Sequence, residues 1–175
     1  MPFSPSGGGV GGMTKIADVV VSTAKSSHTF ADLNGDVDKR YIVKTRVIND
    51  LGVASVLFIR PNNDTGNNYS RQLIDANVST ISAAQAPAIS DVAIAKTEGD
   101  TLVAFGKATI DARTGTDRAI SAHRFSEAST DQAGKTLIID YLWHDDDSNI
   151  TSIELTASQT NGIGVGSILE LWAER

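Results

Sequence analysis

KRYIVKTRVINDLGVASVLFIR, residues 39–60, is the stretch whose reading decides the fold. In its first half Tyr41, Val43 and Val47 fall on one side of an extended chain, while Lys44 and Arg46 fall on the other. That period of two marks a half-buried strand. In its second half Leu57 and Ile59 share one face and Val56 and Phe58 the other, so both sides need cover and the strand is expected to be central in a sheet. Asn49-Asp50-Leu51-Gly52 carries turn residues between them, and the two halves are expected to pair as an antiparallel hairpin.

The same rhythm extends in both directions. Upstream lie KIADVVVS (15–22), a short SHTF, and DLNGDVD (32–38), which reads as turn chemistry. Downstream, NYSRQLIDAN (68–77), DVAIAKTE (91–98), TLVAFGKATIDA (101–112) and DRAISAHRFS (117–126) read as strands. KTLIIDYLW (135–143) sets Leu137, Ile139, Tyr141 and Trp143 on one face, HDDDSN (144–149) is a corner, and ITSIELTAS (150–158) returns with Ile153 and Leu155 inward. GSILELW (166–172) closes the chain. VSTISAAQAPAISD (78–91) has no clear period; it has room for one helical turn, and Ala86-Pro87 argues against a long helix. About nine or ten strands at this spacing predict an all-β, antiparallel β-sandwich over residues 14–175. MPFSPSGGGVGGM (1–13) precedes it as a flexible glycine-rich arm, a free terminus or a peptide that orders against a neighbouring subunit.

The chain of 175 residues, with 41% hydrophobic and 21% charged side chains, has the size and balance of a single globular domain. A net charge of −6 without a basic stripe argues against nucleic-acid binding. The absence of cysteine removes disulfides, thiolate metal sites and cysteine nucleophiles. No apolar run is long enough to span a bilayer, so no membrane partner is expected. The first residues lack the charged start and apolar centre of a secretory signal.

Motifs for chemistry are weak. His28, His123 and His144 lie in three separate segments with no metal-ligand spacing, and neither a G-x-S-x-G elbow nor a phosphate-binding glycine loop is present. Asp32, Asn34, Asp36 and Asp38 resemble the start of a calcium loop, but Gly35 sits two places early and Val43 stands where the bidentate glutamate belongs. Asp145, Asp146 and Asp147 read as a solvated corner. RPNNDTGNNY (60–69) is the most polar stretch: Asn62, Asn63, Asp64, Asn67 and Asn68 suit sugar hydroxyls, and Tyr69 suits stacking on a sugar ring. The same residues suit a tight turn, since Asn and Asp tolerate left-handed backbone and Gly66 allows it freely. Arg60 and Arg71 flank the loop as partners for Asp64. No catalytic residue, metal or cofactor is expected.

In order, a glycine-rich leader, T-K-I-A-D-V, R-P-N-N-D-T-G-N-N-Y-S, I-T-S-I-E-L and G-S-I-L-E-L-W resemble the small β-sandwich proteins of the structural regions of tailed-bacteriophage genomes. The chain departs from them in ending L-W-A-E-R where they end L-Y-G. The resemblance implies a virion protein with a sandwich or jelly-roll fold, assembled in the host cytoplasm and commonly a homotrimer. Its expected role is capsid decoration or cement, binding the major capsid protein or other virion proteins. The alternative is a tail or head fibre module contacting host-surface glycans.

Overall fold

A computed structural model describes residues 12–77, 79–99, 102–129 and 132–175. The arm expected over 1–13 lies almost wholly outside them. Among the described residues there are twelve strands and one short helix. They are β1 (Met13–Val20), β2 (Ser27–Phe30), α1 (Gly35–Asp38), β3 (Arg40–Ile48), β4 (Ser55–Pro61), β5 (Tyr69–Asn77), β6 (Thr80–Ile89), β7 (Val92–Thr97), β8 (Val103–Asp111), β9 (Arg118–Ser129), β10 (Gln132–Trp143), β11 (Ile153–Ala157) and β12 (Ile168–Glu174).

The strands form two antiparallel sheets, an eight-stranded one in the order β1-β12-β3-β8-β9-β10-β5-β6 and a four-stranded one in the order β2-β11-β4-β7. With hairpins β5-β6 and β9-β10 set aside, each remaining sheet has four strands, β1-β12-β3-β8 and β2-β11-β4-β7. That is the winding of a jelly roll. The two inserted hairpins extend one sheet into a wing, and the expected all-β sandwich is what the chain forms.

The alternation in the sequence appears directly as burial. Tyr41, Val43 and Val47 of β3 and Leu137, Ile139, Tyr141 and Trp143 of β10 line the core from one sheet, Leu57 and Ile59 of β4 and Ile153 and Leu155 of β11 from the other, and none of these is more than 3% exposed. Burial of a large apolar side chain stabilises by about 1.5–3 kcal/mol, so this layer is the main favourable contribution. The sheets approach closely at Gly106 of β8. A β-carbon there would collide with the carbonyl oxygen of Ile94, which the bulge of β7 turns inward.

Four expectations are corrected. The hairpin over residues 39–60 does not form: β3 pairs with β12 and β8, whereas β4 pairs with β11 and β7. The chain crosses from one sheet to the other at Asn49, whose buried side chain donates to the Val53 carbonyl at 2.7 Å and accepts from the Leu51 N–H at 3.0 Å. The two apolar faces meet across the core instead of lying side by side, an alternative that the same alternation allows. The segment 78–91 contains strand β6, not a helical turn; Pro87 fits because β6 is an edge strand, and the register shifts beside it, with Ala88 at φ 50°. The turn at 32–38 contains α1, and the strand count exceeds nine or ten.

Candidate functional site

The 60–69 loop is built by its own side chains. Asn62 and Asn63 take φ of 51° and 55°, the left-handed backbone that asparagine tolerates, and they swing the chain out of β4. The Asn62 Oδ1 accepts from the N–H groups of Thr151 at 2.9 Å and Ser152 at 3.3 Å, and its Nδ2 donates to the Asn149 carbonyl at 2.9 Å. It therefore clamps the loop to the approach of β11.

Asp64 is the centre of the loop. Its carboxylate accepts from the Trp143 Nε1 at 2.7 Å, the Asn68 Nδ2 at 3.0 Å and the Gly66 N–H at 2.8 Å. Burial pushes this carboxyl up, but the hydrogen bonds from Asn68, Trp143 and Gly66 outweigh it and hold the group below the usual carboxylate range. Behind it, Tyr69 stacks on Trp143 with ring centroids 6.2 Å apart, and the guanidinium of the buried Arg118 lies 4.8 Å from the centroid of the Trp143 ring. Burial, then the Asp64 charge, raises the Tyr69 phenol.

The expected site residues therefore separate. Tyr69 is fully buried and cannot stack on a sugar, because it is part of the core under the loop. Asn62 and Asp64 are occupied in holding the turn, and Asn68 is bonded to Asp64. Asn63 and Asn67 remain exposed. Arg60 turns to Asp91 at 3.1 Å and Glu154 at 3.8 Å instead of Asp64, and Arg71 is not among the Asp64 partners. The calcium-like carboxylates are also engaged: Asp38 accepts from the Tyr41 hydroxyl at 2.7 Å and from Arg175 at 2.8 Å, and Asp36 accepts from the Thr114 N–H and hydroxyl, both at 2.9 Å. Among the described residues no group of three or more potential metal ligands converges.

The sheet register brings together a set of residues that sequence reading kept apart. Ser70 of β5 is opposite Leu142 of β10, which is opposite Ala119 of β9. Side chains two residues apart share a face, so His144, two past Leu142, and Asp117, two before Ala119, emerge beside Ser70 on the outer face of the wing. The Ser70 Oγ lies 3.2 Å from the His144 Nε2, and the His144 Nδ1 lies 3.0 Å from the Asp117 Oδ2. Hydroxyl, imidazole and carboxylate stand in line, in the order by which a base takes a hydroxyl proton while a carboxylate orients the ring.

From Ser70 a groove of about 570 Å³ runs over the same face, with Leu142, Ala119 and Pro87 as apolar walls. The next cross-strand row, Ser121, Asp140, Gln72 and Gln85, forms its polar floor. No local motif signals this arrangement. Only strand pairing joins residues that lie 27 and 74 positions apart in the chain.

No protein-family model matches the chain, and no curated protein matches it in sequence. Among solved structures, a match is the crystal structure of Scytalido-glutamic peptidase with a peptide based transition state analog, at 10% identity and a TM-score of 0.29. It covers 85% of this chain, and this chain spans 64% of that one. At that TM-score the likeness carries no argument about fold or activity.

Proposed function

We propose that the protein is a structural component of a bacteriophage virion, a capsid decoration or cement protein that assembles as a homotrimer and binds the major capsid protein or other virion proteins. The observation that supports assembly is the edge formed by β6. Unpaired strand edges invite other chains, and proteins normally guard them with charge, bulges or short length. The opposite edge, β1, carries Lys15 and Asp18 and a bulge after Lys15, and β2 is four residues long. β6, by contrast, has ten residues, no charged side chain and eight exposed positions, with Ile81 80% exposed. Pro87 and the shifted register guard only its end, leaving the backbone of Thr80 to Gln85 open. In this reading the open backbone of β6 docks head to tail on a different surface of the next copy so that three copies close a ring, and the rigid sandwich adds contacts to the shell it decorates, so that binding favours the assembled state.

Light scattering of the purified chain tests this: three chain masses are expected, with reversion to one in Ile81→Lys, which places a charge on the open edge. A wild-type monomer at micromolar concentration overturns it. A second reading, a tail or head fibre module that contacts host-surface glycans, is favoured by the exposed Asn63 and Asn67 on a loop whose backbone Asn62 and Asp64 hold rigid. Binding on a glycan array that is lost in the double variant Asn63→Ala/Asn67→Ala distinguishes it.

A further inference from the structure

We infer that Ser70, His144 and Asp117 form a nucleophilic site that hydrolyses carboxylic esters, with the groove over β5, β6, β9 and β10 as the seat of the substrate. Two independent features converge on it. The contacts of 3.2 Å and 3.0 Å run through the correct imidazole nitrogens: with Nδ1 protonated and donating to Asp117, the Nε2 lone pair faces the Ser70 hydroxyl. The groove of about 570 Å³ opens from Ser70, a size that suits a small organic substrate. Gln72 and Gln85 line the same groove, and their carboxamide N–H groups are donors available to a substrate carbonyl seated in it.

The chemistry balances with water as the second reactant. The Ser70 Oγ bonds to the ester carbonyl carbon as its proton passes to the His144 Nε2. The carbon–oxygen bond to the alcohol then breaks, and the departing oxygen takes that proton, leaving an acyl group on Ser70. Water, giving its proton to the His144 Nε2, attacks the acyl carbon. The bond to the Ser70 Oγ breaks, the Oγ recovers its proton, and a carboxylic acid leaves. Asp117 stays ionised throughout and stabilises the imidazolium.

The walls define the substrate class. Leu142, Ala119 and Pro87 accept a short apolar acyl chain, and Arg71 and Asp140, which also line the groove, balance each other's charge, so an uncharged chain fits best. His144 and Asp117 are 44% and 49% exposed, so the site is open, and an ester displayed on a larger molecule can reach it. This inference stands whether or not the protein belongs to a virion, because it uses only contacts within one chain.

The test uses the full chain in two arms. Incubation with a fluorophosphonate, followed by peptide mass mapping, is expected to yield one adduct, on Ser70, with fluoride displaced; labelling is expected to slow at least about 100-fold in His144→Ala. Hydrolysis of 4-nitrophenyl acetate and butyrate is expected to saturate with substrate and to fall by a similar factor in Ser70→Ala, which keeps His144. The adduct is read on the unmodified protein and does not depend on how any variant folds. Absence of a Ser70 adduct, or esterolysis that survives in folded Ser70→Ala, overturns the assignment.

Discussion

Asp64→Ala removes the acceptor that three donors share, and its cost follows from what is left behind. The Trp143 ring is fully buried, and its Nε1 donates to Asp64 at 2.7 Å, so truncation leaves the indole N–H of a core side chain without its acceptor. A stranded buried donor costs about 1–3 kcal/mol, and a hydrogen bond to a charged group contributes about 1.5–3 kcal/mol, so the variant is expected to lose about 3 kcal/mol. For a chain of this size that lowers Tm by roughly 6–12 °C. Urea unfolding followed by tryptophan fluorescence and by far-UV circular dichroism measures the loss. Asn63→Ala, on the exposed shoulder of the same loop, is expected to stay within about 0.5 kcal/mol of wild type.

The pH dependence gives a second reading of the same contact. The fold holds the Asp64 carboxyl below its ordinary value, so the ionised form favours the folded state. That contribution is complete above the unfolded carboxylate pKa of about 3.9 and is lost as pH falls through the folded value. Asp64→Asn keeps an oxygen acceptor without the charge, so the gap between wild type and this variant is expected to narrow as pH falls below about 3.9, the unfolded carboxylate value. A loss below about 1 kcal/mol in Asp64→Ala, or an equal loss in Asn63→Ala, refutes the view of Asp64 as the structural centre of the loop.

Two further predictions concern the contact between the sheets. The Tyr141 hydroxyl accepts from the Ala93 N–H at 3.1 Å and donates to the Ala93 carbonyl at 3.3 Å, bridging the core beside the bulge of β7. Tyr141→Phe strands both backbone groups and is expected to cost about 1–3 kcal/mol in urea unfolding, and an unchanged midpoint refutes it. Gly106→Ala drives a β-carbon into the Ile94 carbonyl oxygen and to 2.8 Å from the Thr45 hydroxyl, so it must push the sheets apart. The expected cost is about 1–3 kcal/mol or more, seen as a lowered melting temperature, and a wild-type melt shows that the sheets do not meet there.

Much of the core was legible because a strand half in water writes its orientation in alternate residues. Leu137, Ile139, Tyr141 and Trp143 declare the inner face of β10, and Ile153 and Leu155 that of β11, without any knowledge of partners. The loop at 60–69 was likewise legible as a turn, since its Asn, Asp and Gly content has a local cause. β6 was not legible: an edge strand exposed on both faces has no apolar period to display, and TISAAQAPAI shows none.

What the sequence determined by itself is which residues extend, which turn, and which face of each strand seeks cover, because these depend on neighbours one to four residues away. Which strand lies beside which was decided only in the tertiary structure. Alternation is the same whether β3 and β4 pair edge to edge or face each other across the core, and here the buried Asn49 crossing selects the second arrangement. The same dependence on register explains the outer face of the wing. Ser70, Asp117 and His144 are ordinary polar residues in the chain, and only the pairing of β9, β10 and β5 aligns a hydroxyl, an imidazole and a carboxylate within 3.2 Å contacts.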